Sequence, residues 1–281
     1  MPCRNILTVD VEDWFHICGV SDFIPRETWS DLESRVTENT NKLLDILFRS
    51  NTLATFFVLG FVAEKYPELV EKIRRAGHEI ATHGYMHRRV YTMSPDAFRQ
   101  DLRTSVRILS KITGDKVKGF RAPEWSIRDD SLWALDILLE EGFSYDSSMA
   151  PLPIIGNPGN PKNPWKHRLT HGEMWEIPPL VKPNRMINLP IGGGWGLRTF
   201  PYGLIRSTIK RLNRQGIPAV IFLHPREFDL DCPQIKIPFV KRFVLNAAKE
   251  STEIRLWKLL RDFEFTTAAS ALSLIPVRYP L

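Results

Sequence analysis

Cysteine is scarce in this chain. Cys3, Cys18 and Cys232 form an odd set with no CxxC or comparable spacing, which argues against a thiolate zinc site and a disulfide scaffold and suits a reduced compartment. Each is read as a small, partly buried apolar side chain. Long hydrophobic runs are also missing, so no membrane-spanning segment is expected. The opening MPCRNILTVDVEDWF has one short apolar run, interrupted at Asp10; that is no secretory h-region, and a cytoplasmic location is expected. Internal repeats and low-complexity tails are absent, which excludes solenoid and disordered readings. Basic residues nowhere form an extended run and no nucleic-acid motif accompanies them, so no nucleic-acid partner is expected.

What is present is the composition of an ordinary globular α/β domain. The 281 residues are 43% hydrophobic and 25% charged, enough to bury a sizeable core. A net charge of +6 and a pI near 9.3 favour anionic partners such as acidic glycans, phosphorylated carriers or lipid headgroups.

Strand and helix signals alternate along the chain. NILTV (5–9) reads as a short strand running into acids, and TENTNKLLDILFRSN as a helix with apolar spacing through Leu43, Leu44, Ile46 and Leu47. LATFFVLG (53–60) has the β-branched and aromatic content of a strand buried on both faces. PELVEKIRRAGHEIATHG reads as helix, glycine stop and strand. Ser94 as N-cap, Pro95 at the first helical position and Gly114 at the end bound another helix. KVKGFRAPEW is a strand leading into a loop, and DDSLWALDILLEEGFSYDSS a helix followed by a strand. PYGLIRSTIKRLNRQG, PAVIFLHP and STEIRLWKLLRDFEF follow as basic helix, buried strand and closing helix. This cadence predicts a parallel sheet curled into a closed or nearly closed barrel. One domain over 1–281 is expected, with its core in about 5–150 and 217–270. The proline- and glycine-rich stretch of about 151–201 reads as an ordered excursion with extra strands in MWEIPPLVK and NRMINLPIGGGWG.

The chemistry-bearing residues follow strands, where α/β barrels carry their sites. His83 and His87 in EIATHGYMHRRV stand four apart, as metal-binding histidines on a helix do, but Gly84 follows the first and suggests a turn. Taken alone, the pair reads as two polar residues after a strand. Asp10, Glu12 and Asp13 crowd three carboxylates between Ile6, Leu7, Val9 and Trp14, Phe15. Acids so flanked need a cation or an arginine beside them. One carboxylate and two imidazoles make a common divalent-metal set with open positions for water. A second carboxylate could then take the water's proton. His224 ends the most hydrophobic strand of the C-terminal half and could protonate a leaving amine. Arg121 could hold a carboxylate; in isolation it reads as a surface ion pair.

In order, TVDVED, ATHGYMH, RAPEW, YDSS and FLHP resemble the five motifs of the polysaccharide deacetylases, the NodB-homology or carbohydrate esterase family 4 enzymes. The chain is most similar to the branch associated with exopolysaccharide and exosortase clusters, with a DVED motif and a C-terminal extension. The GGGW segment, the stretch through YGLIRSTIKRLNRQGIPAVIFLHPREFD and the closing RLWKLLRDFEF helix resemble that extension. The resemblance implies a deformed (β/α) barrel of about seven strands with a divalent metal, commonly zinc. It implies His83 and His87 as ligands, Asp10 as general base with Arg121 as its partner, and His224 as general acid. It implies Asp146 as the acid that orients the catalytic histidine, and Leu223 as a wall for the acetyl methyl. The commoner TFDDG motif has adjacent acids; here Val11 and Glu12 intervene, so the third ligand is Glu12 or Asp13. Alternation puts Glu12 on the face of Asp10, while a turn after it could bring Asp13 round. Trp125 offers a flat surface for a sugar ring or a packing residue at the barrel mouth. Glu124 and Trp125 stand where this branch usually has a more neutral sequence.

The expected activity is metal-dependent removal of N-acetyl groups from a glycan, releasing acetate. Two alternatives are an amidase of small cyclic amides in the same superfamily and a non-catalytic glycan- or carrier-binding relative. The presence of Asp10 and His224 weighs against the latter. Peripheral contact with anionic membrane is an expectation for the basic helix around Arg206, Lys210, Arg211 and Arg214, whose apolar spacing also fits an ordinary packed helix.

Overall fold

A computed structural model describes residues 3–17, 19–20, 22–153, 155–184, 186–233 and 237–276. In chain order the first half runs β1 (Asn5–Val11), α1 (Val36–Arg49), β2 (Thr55–Val58), α2 (Gly60–Lys65), α3 (Pro67–Arg75), β3 (Glu79–Thr82), α4 (Pro95–Thr113), β4 (Gly119–Phe120), α5 (Trp133–Glu140) and β5 (Tyr145–Asp146). The second half runs β6 (Trp165–Leu169), β7 (Gly172–Glu176), β8 (Val181–Lys182), β9 (Leu189–Pro190), α6 (Gly194–Thr199), α7 (Tyr202–Arg214), β10 (Val220–Leu223), α8 (Phe239–Asn246), α9 (Ser251–Asp262), β11 (Phe265–Thr266) and α10 (Ala268–Leu272).

The main sheet has the order β10-β1-β2-β3-β4-β5-β7-β6, with β11 beside β1. Its strands are parallel from β10 through β7, and β6 closes the edge antiparallel to β7. It curls into a half-barrel with helices outside. The gap beside β10 is spanned by irregular chain: Leu180 N–H donates to the Val220 carbonyl at 2.9 Å and Phe222 N–H to the Gly192 carbonyl at 3.0 Å. Gly192 must be glycine for this approach, because a Cβ there would lie 2.7 Å from the Leu180 backbone. The 151–201 stretch is therefore more than an excursion, since it supplies β7 and the closing segment of the wall.

Alternation sorts β1 into two faces. Leu7, Val9 and Val11 join the outer apolar layer with Leu43, Leu47 and Ile221. Ile6 belongs to an inner cluster with Phe57, Ala81, Tyr145 and Val220, plugged from below by Ala268, Ala271 and Leu272 of α10. With that end filled, the inward side chains that follow on β1, Thr8 and Asp10, lead to the open C-terminal mouth. The helix signals behave as their local chemistry dictates: Ser94 Oγ accepts from Ala97 N–H at 3.2 Å, and Gly114 ends α4 at φ 73°. Helix α7 buries Ile205, Thr208, Ile209 and Leu212, so its apolar stripe faces the core. Cys3 and Cys232 are unpaired; Cys18 lies outside the described residues. Among the described residues no helix is long and apolar enough to cross a membrane.

Candidate active site

The acids of β1 and the loop after it diverge. Glu12 N–H turns back to the Asp10 carbonyl at 3.1 Å, and the Asp10 and Glu12 side chains both reach the interior of the mouth. Asp13 leaves it. Its carboxylate accepts from Ser34 Oγ, from Arg35 N–H at 3.2 Å and from Val36 N–H at 3.4 Å. It thus sits at the N-terminus of α1, where unpaired N–H groups and the helix dipole favour an anion. Burial pushes the Asp13 pKa up against these donors.

His83 and His87 lie on the loop leaving β3, not on a helix. Gly84 takes φ 76° and a Cβ there would press on Asp101 Oδ2 at 3.1 Å. Asp101 in turn accepts from Tyr85 N–H at 2.7 Å, while Arg26 donates to the carbonyls of Met86 and His87. So held, His87 keeps φ 49°, a conformation uncommon for a residue with a side chain. Its Nε2 stands 2.7 Å from Glu12 Oε2, and His83 Nε2 stands 3.9 Å from the same oxygen. His83 Nδ1 is 2.8 Å from the Arg121 carbonyl. Donation to that carbonyl fixes the tautomer and leaves Nε2 with its lone pair free. Burial drives the His83 pKa down to about 4 and keeps it neutral. Glu12 is driven up by burial but more strongly down by His87, His224 and His83, to about 2.

This cluster has the make-up of a metal site. Glu12, His83 and His87 each offer a ligand atom within 4.8 Å of the others, and all three are buried. His87 Nδ1 is buried without a hydrogen-bond partner in the protein, and Glu12 Oε2 has only the His87 imidazole at close range. A buried carboxylate oxygen so left between two imidazoles is stable only with a cation or shared proton beside it. Glu12, not Asp13, is the carboxylate the fold brings to the histidines.

Around the cluster stand further charged and titratable groups. Arg121, fully buried over the Phe57 ring at 4.2 Å, donates from Nη1 to Asp10 Oδ1 at 2.6 Å and Thr8 Oγ1 at 3.0 Å, and from Nη2 to Ser147 Oγ at 2.9 Å. His224 Nε2 faces Asp10 Oδ2 at 3.7 Å and Glu12 Oε1 at 3.5 Å. Its Nδ1 lies 2.8 Å from Glu227 Oε1, and Glu227 Oε2 accepts from Arg198 Nη1 at 3.0 Å. Burial lowers the His224 pKa, yet Glu227, Glu12 and Asp10 together hold it above the usual histidine value. Glu227 is pushed up by burial and brought below its usual value by His224 and Arg198.

Two residues carried by resemblance take other positions. Asp146 does not reach His224. It is bonded to Ser148 Oγ, which accepts from Ala122 N–H at 2.7 Å, and it shares a hydrogen bond with Glu176, so it braces the RAPEW loop. The carboxylate on the histidine is Glu227, which the sequence reading did not single out; its signal was a glutamate three residues after His224, across a proline-led turn. Leu223 is fully buried in the outer apolar layer, because alternation turns it away from His224. The residue facing inward is Phe222, whose ring lies 5.8 Å from that of His224 and 4.5 Å from that of Trp125. Trp125, half-buried at φ 48° and 5.7 Å from the Arg121 guanidinium, forms the adjoining wall. His16 is a further residue the sequence reading passed over. Its ring stacks on His87 at 6.4 Å, its Nδ1 accepts from Asp13 N–H at 2.9 Å, and burial keeps it neutral.

Residues 27–138 match the family model described as polysaccharide deacetylase, and residues 147–273 match a domain of unknown function, DUF3473. A peptidoglycan-N-acetylglucosamine deacetylase of Bacillus cereus is 37% identical over 100 residues, 35% of this chain and 36% of that protein. A putative polysaccharide deacetylase structure from Mycobacterium smegmatis superposes with a TM-score of 0.65 at 20% identity, covering 100% of this chain and 96% of that one. An allantoinase structure has a TM-score of 0.61 at 15% identity over 95% and 88% of the two chains. Residues 27–138 are thus similar to the polysaccharide deacetylases, and the fold is the curled half-barrel of the superposed structures. The chain spans about a third of the length of the curated relatives it matches. The site draws on both matched stretches. His83, His87 and Arg121 come from the first, His224, Glu227 and Arg198 from the second, and Asp10 and Glu12 precede both.

Proposed function

We propose that the chain is a metal-dependent hydrolase that removes N-acetyl groups from an N-acetylated glycan and releases acetate. The observation that carries this reading is the meeting of Glu12, His83 and His87 with Asp10 on one side and His224 on the other. Two imidazoles and one carboxylate suit zinc. A divalent cation held there would polarise the amide carbonyl and make a water acidic enough to attack near neutral pH. Asp10, one oxygen held by Arg121, offers the other to take the proton of that water. His224, its Nδ1–H held by Glu227, presents Nε2 to the same space and as an imidazolium gives a proton to the departing amine. Water is consumed, the C–N bond breaks, and acetate and a free sugar amine leave. Trp125 and Phe222 supply apolar walls for the sugar and the acetyl methyl. An exopolysaccharide or cell-envelope glycan is the substrate class the DVED-type motif order favours.

The experiment is acetate release from oligomers of N-acetylglucosamine. Activity is expected, and is expected to disappear on chelation and separately in Asp10→Asn. Hydrolysis that persisted through both treatments would remove the mechanism.

A further inference from the structure

Helix α8 is built in a way the proposed chemistry does not explain. Amphipathic helices ordinarily turn the apolar face inward. In α8 no residue is buried, and Phe239 and Val240 are each 71% exposed, Phe243 53% and Val244 41%. These four side chains occupy one contiguous arc of the helix at 100° per residue, with Lys241 and Arg242 bounding it on either side. The helix is instead fixed by polar contacts at its C-terminal end. Arg198 donates from Nη2 to the carbonyls of Val244 at 2.9 Å and Leu245 at 3.2 Å and from Nε to that of Ala247 at 3.0 Å, and Arg226 reaches Leu245 O at 3.4 Å. Phe23, also exposed, extends the apolar patch under the Lys241 ammonium at 5.1 Å. In sequence, residues 232–249 carry Lys236, Lys241, Arg242 and Lys249 and no carboxylate.

We infer that α8 is a docking helix for an anionic lipid surface, lying in the interfacial plane with Phe239, Val240, Phe243 and Val244 among the acyl chains and Lys241 and Arg242 at the headgroups. An apolar arc bounded by cations is the pattern of interfacial helices, whose long basic side chains reach the headgroup layer. A second copy of the chain fits less well, because a two-fold contact would set the Lys241 and Arg242 of each copy against those of the other. A folded protein partner would need roughly 800 Å² of matching surface, and one eight-residue helix with four exposed apolar side chains is short of that. Helix α7 is the poorer candidate, because its apolar stripe is buried and its Arg206 is paired with Asp262 at 2.8 Å; Lys241 of α8 has a looser contact, 4.0 Å from an exposed Asp22 that Arg89 already holds at 2.9 Å. Docking through α8 sets the lipid beside the catalytic mouth, since Arg198 holds both α8 and Glu227.

The test is co-sedimentation of the full chain with phosphatidylcholine vesicles, with and without phosphatidylglycerol. Anionic vesicles are expected to bind it at least about tenfold better than neutral ones at low salt, each basic residue at the surface contributing roughly fivefold. Lys241→Glu with Arg242→Glu should abolish that preference, and Phe239→Ser with Phe243→Ser should reduce binding to background. Both pairs are solvent-exposed, and unchanged thermal unfolding serves as their folding control. The inference is overturned if the chain ignores anionic vesicles or if binding survives both pairs. It is equally overturned if the phenylalanine substitutions instead dissociate a dimer seen by light scattering. None of these outcomes depends on the hydrolase reading.

Discussion

Glu227→Gln is the perturbation that separates charge from shape at His224, the proposed general acid. The amide keeps the length of the side chain and a carbonyl oxygen to accept from His224 Nδ1, so the ring stays oriented while the negative charge goes. The bond replaced is a charged one of 2.8 Å, worth about 1.5–3 kcal/mol. At about 1.4 kcal/mol per pH unit, that is about one to two units on the histidine. The direction is set by what remains: burial pulls the His224 pKa down, and Glu227 is the foremost group holding it up. In the variant the imidazolium should lose its proton at lower pH. Because the acid works in its protonated form, the alkaline limb of kcat should move to lower pH by about one to two units, with the rate at neutral pH falling in step. The assay is acetate release against pH, run below the variant's unfolding temperature. That temperature should drop, since Arg198 loses its buried partner at 3.0 Å and breaking such a pair costs about 3–5 kcal/mol. An alkaline limb that overlays the wild-type curve in a folded variant would refute the assignment of Glu227 and, with it, of His224 as the acid.

Three further outcomes are expected. Asp13→Asn should lower stability by about 1–2 kcal/mol through loss of its charge at the α1 N-terminus, with kcat nearly unchanged; a chemical-denaturation midpoint left unmoved alongside lost activity would reverse the role given to Asp13. Asp146 and Glu176 share a buried site that raises both pKa values through burial, Asp146 to about 6, so the folded chain keeps protons the unfolded chain releases. Their contribution to stability is fully present below the unfolded carboxyl range and falls as pH rises through the folded values, at about 1.4 kcal/mol per pH unit for each proton. Glu176→Gln should flatten this decline in urea titrations between about pH 4 and 7, and a slope identical to wild type would exclude the pair as its source. Leu223→Ala should cost about 2–5 kcal/mol of stability as a buried truncation, whereas Phe222→Ala should mainly raise KM for the acetylated sugar. The opposite split would return Leu223 to the pocket.

Much of this architecture was legible because it is local. Ser94, Pro95 and Gly114 act within a few residues of themselves, and the run in LATFFVLG declares a strand buried on both sides whatever surrounds it. The residue types that the mouth gathers were readable too, since Asp10, Glu12, His83, Arg121 and His224 are polar groups at or just beyond the ends of apolar strands, with His87 on the loop after one of them. The choice between Glu12 and Asp13 was not, because Ser34 and Arg35, 21 and 22 positions beyond Asp13, decide it. Resemblance misdirected at two points. It carried a histidine-orienting role to Asp146, which the fold spends on the RAPEW loop, and a pocket role to Leu223, which strand alternation alone would have given to Phe222. Helix α8 was not read from the sequence: its apolar pairs, Phe239 with Val240 and Phe243 with Val244, stand at helical spacing, but the helix is only eight residues long.

The central claim is that Glu12, His83 and His87 jointly hold one divalent cation. Metal content of the purified chain and of Glu12→Gln and Asp13→Asn, measured by mass spectrometry after equilibration with zinc, tests it most directly. About one ion per chain is expected in the wild type and in Asp13→Asn, and a loss of most of it in Glu12→Gln. Full occupancy in Glu12→Gln with an empty Asp13→Asn would contradict it.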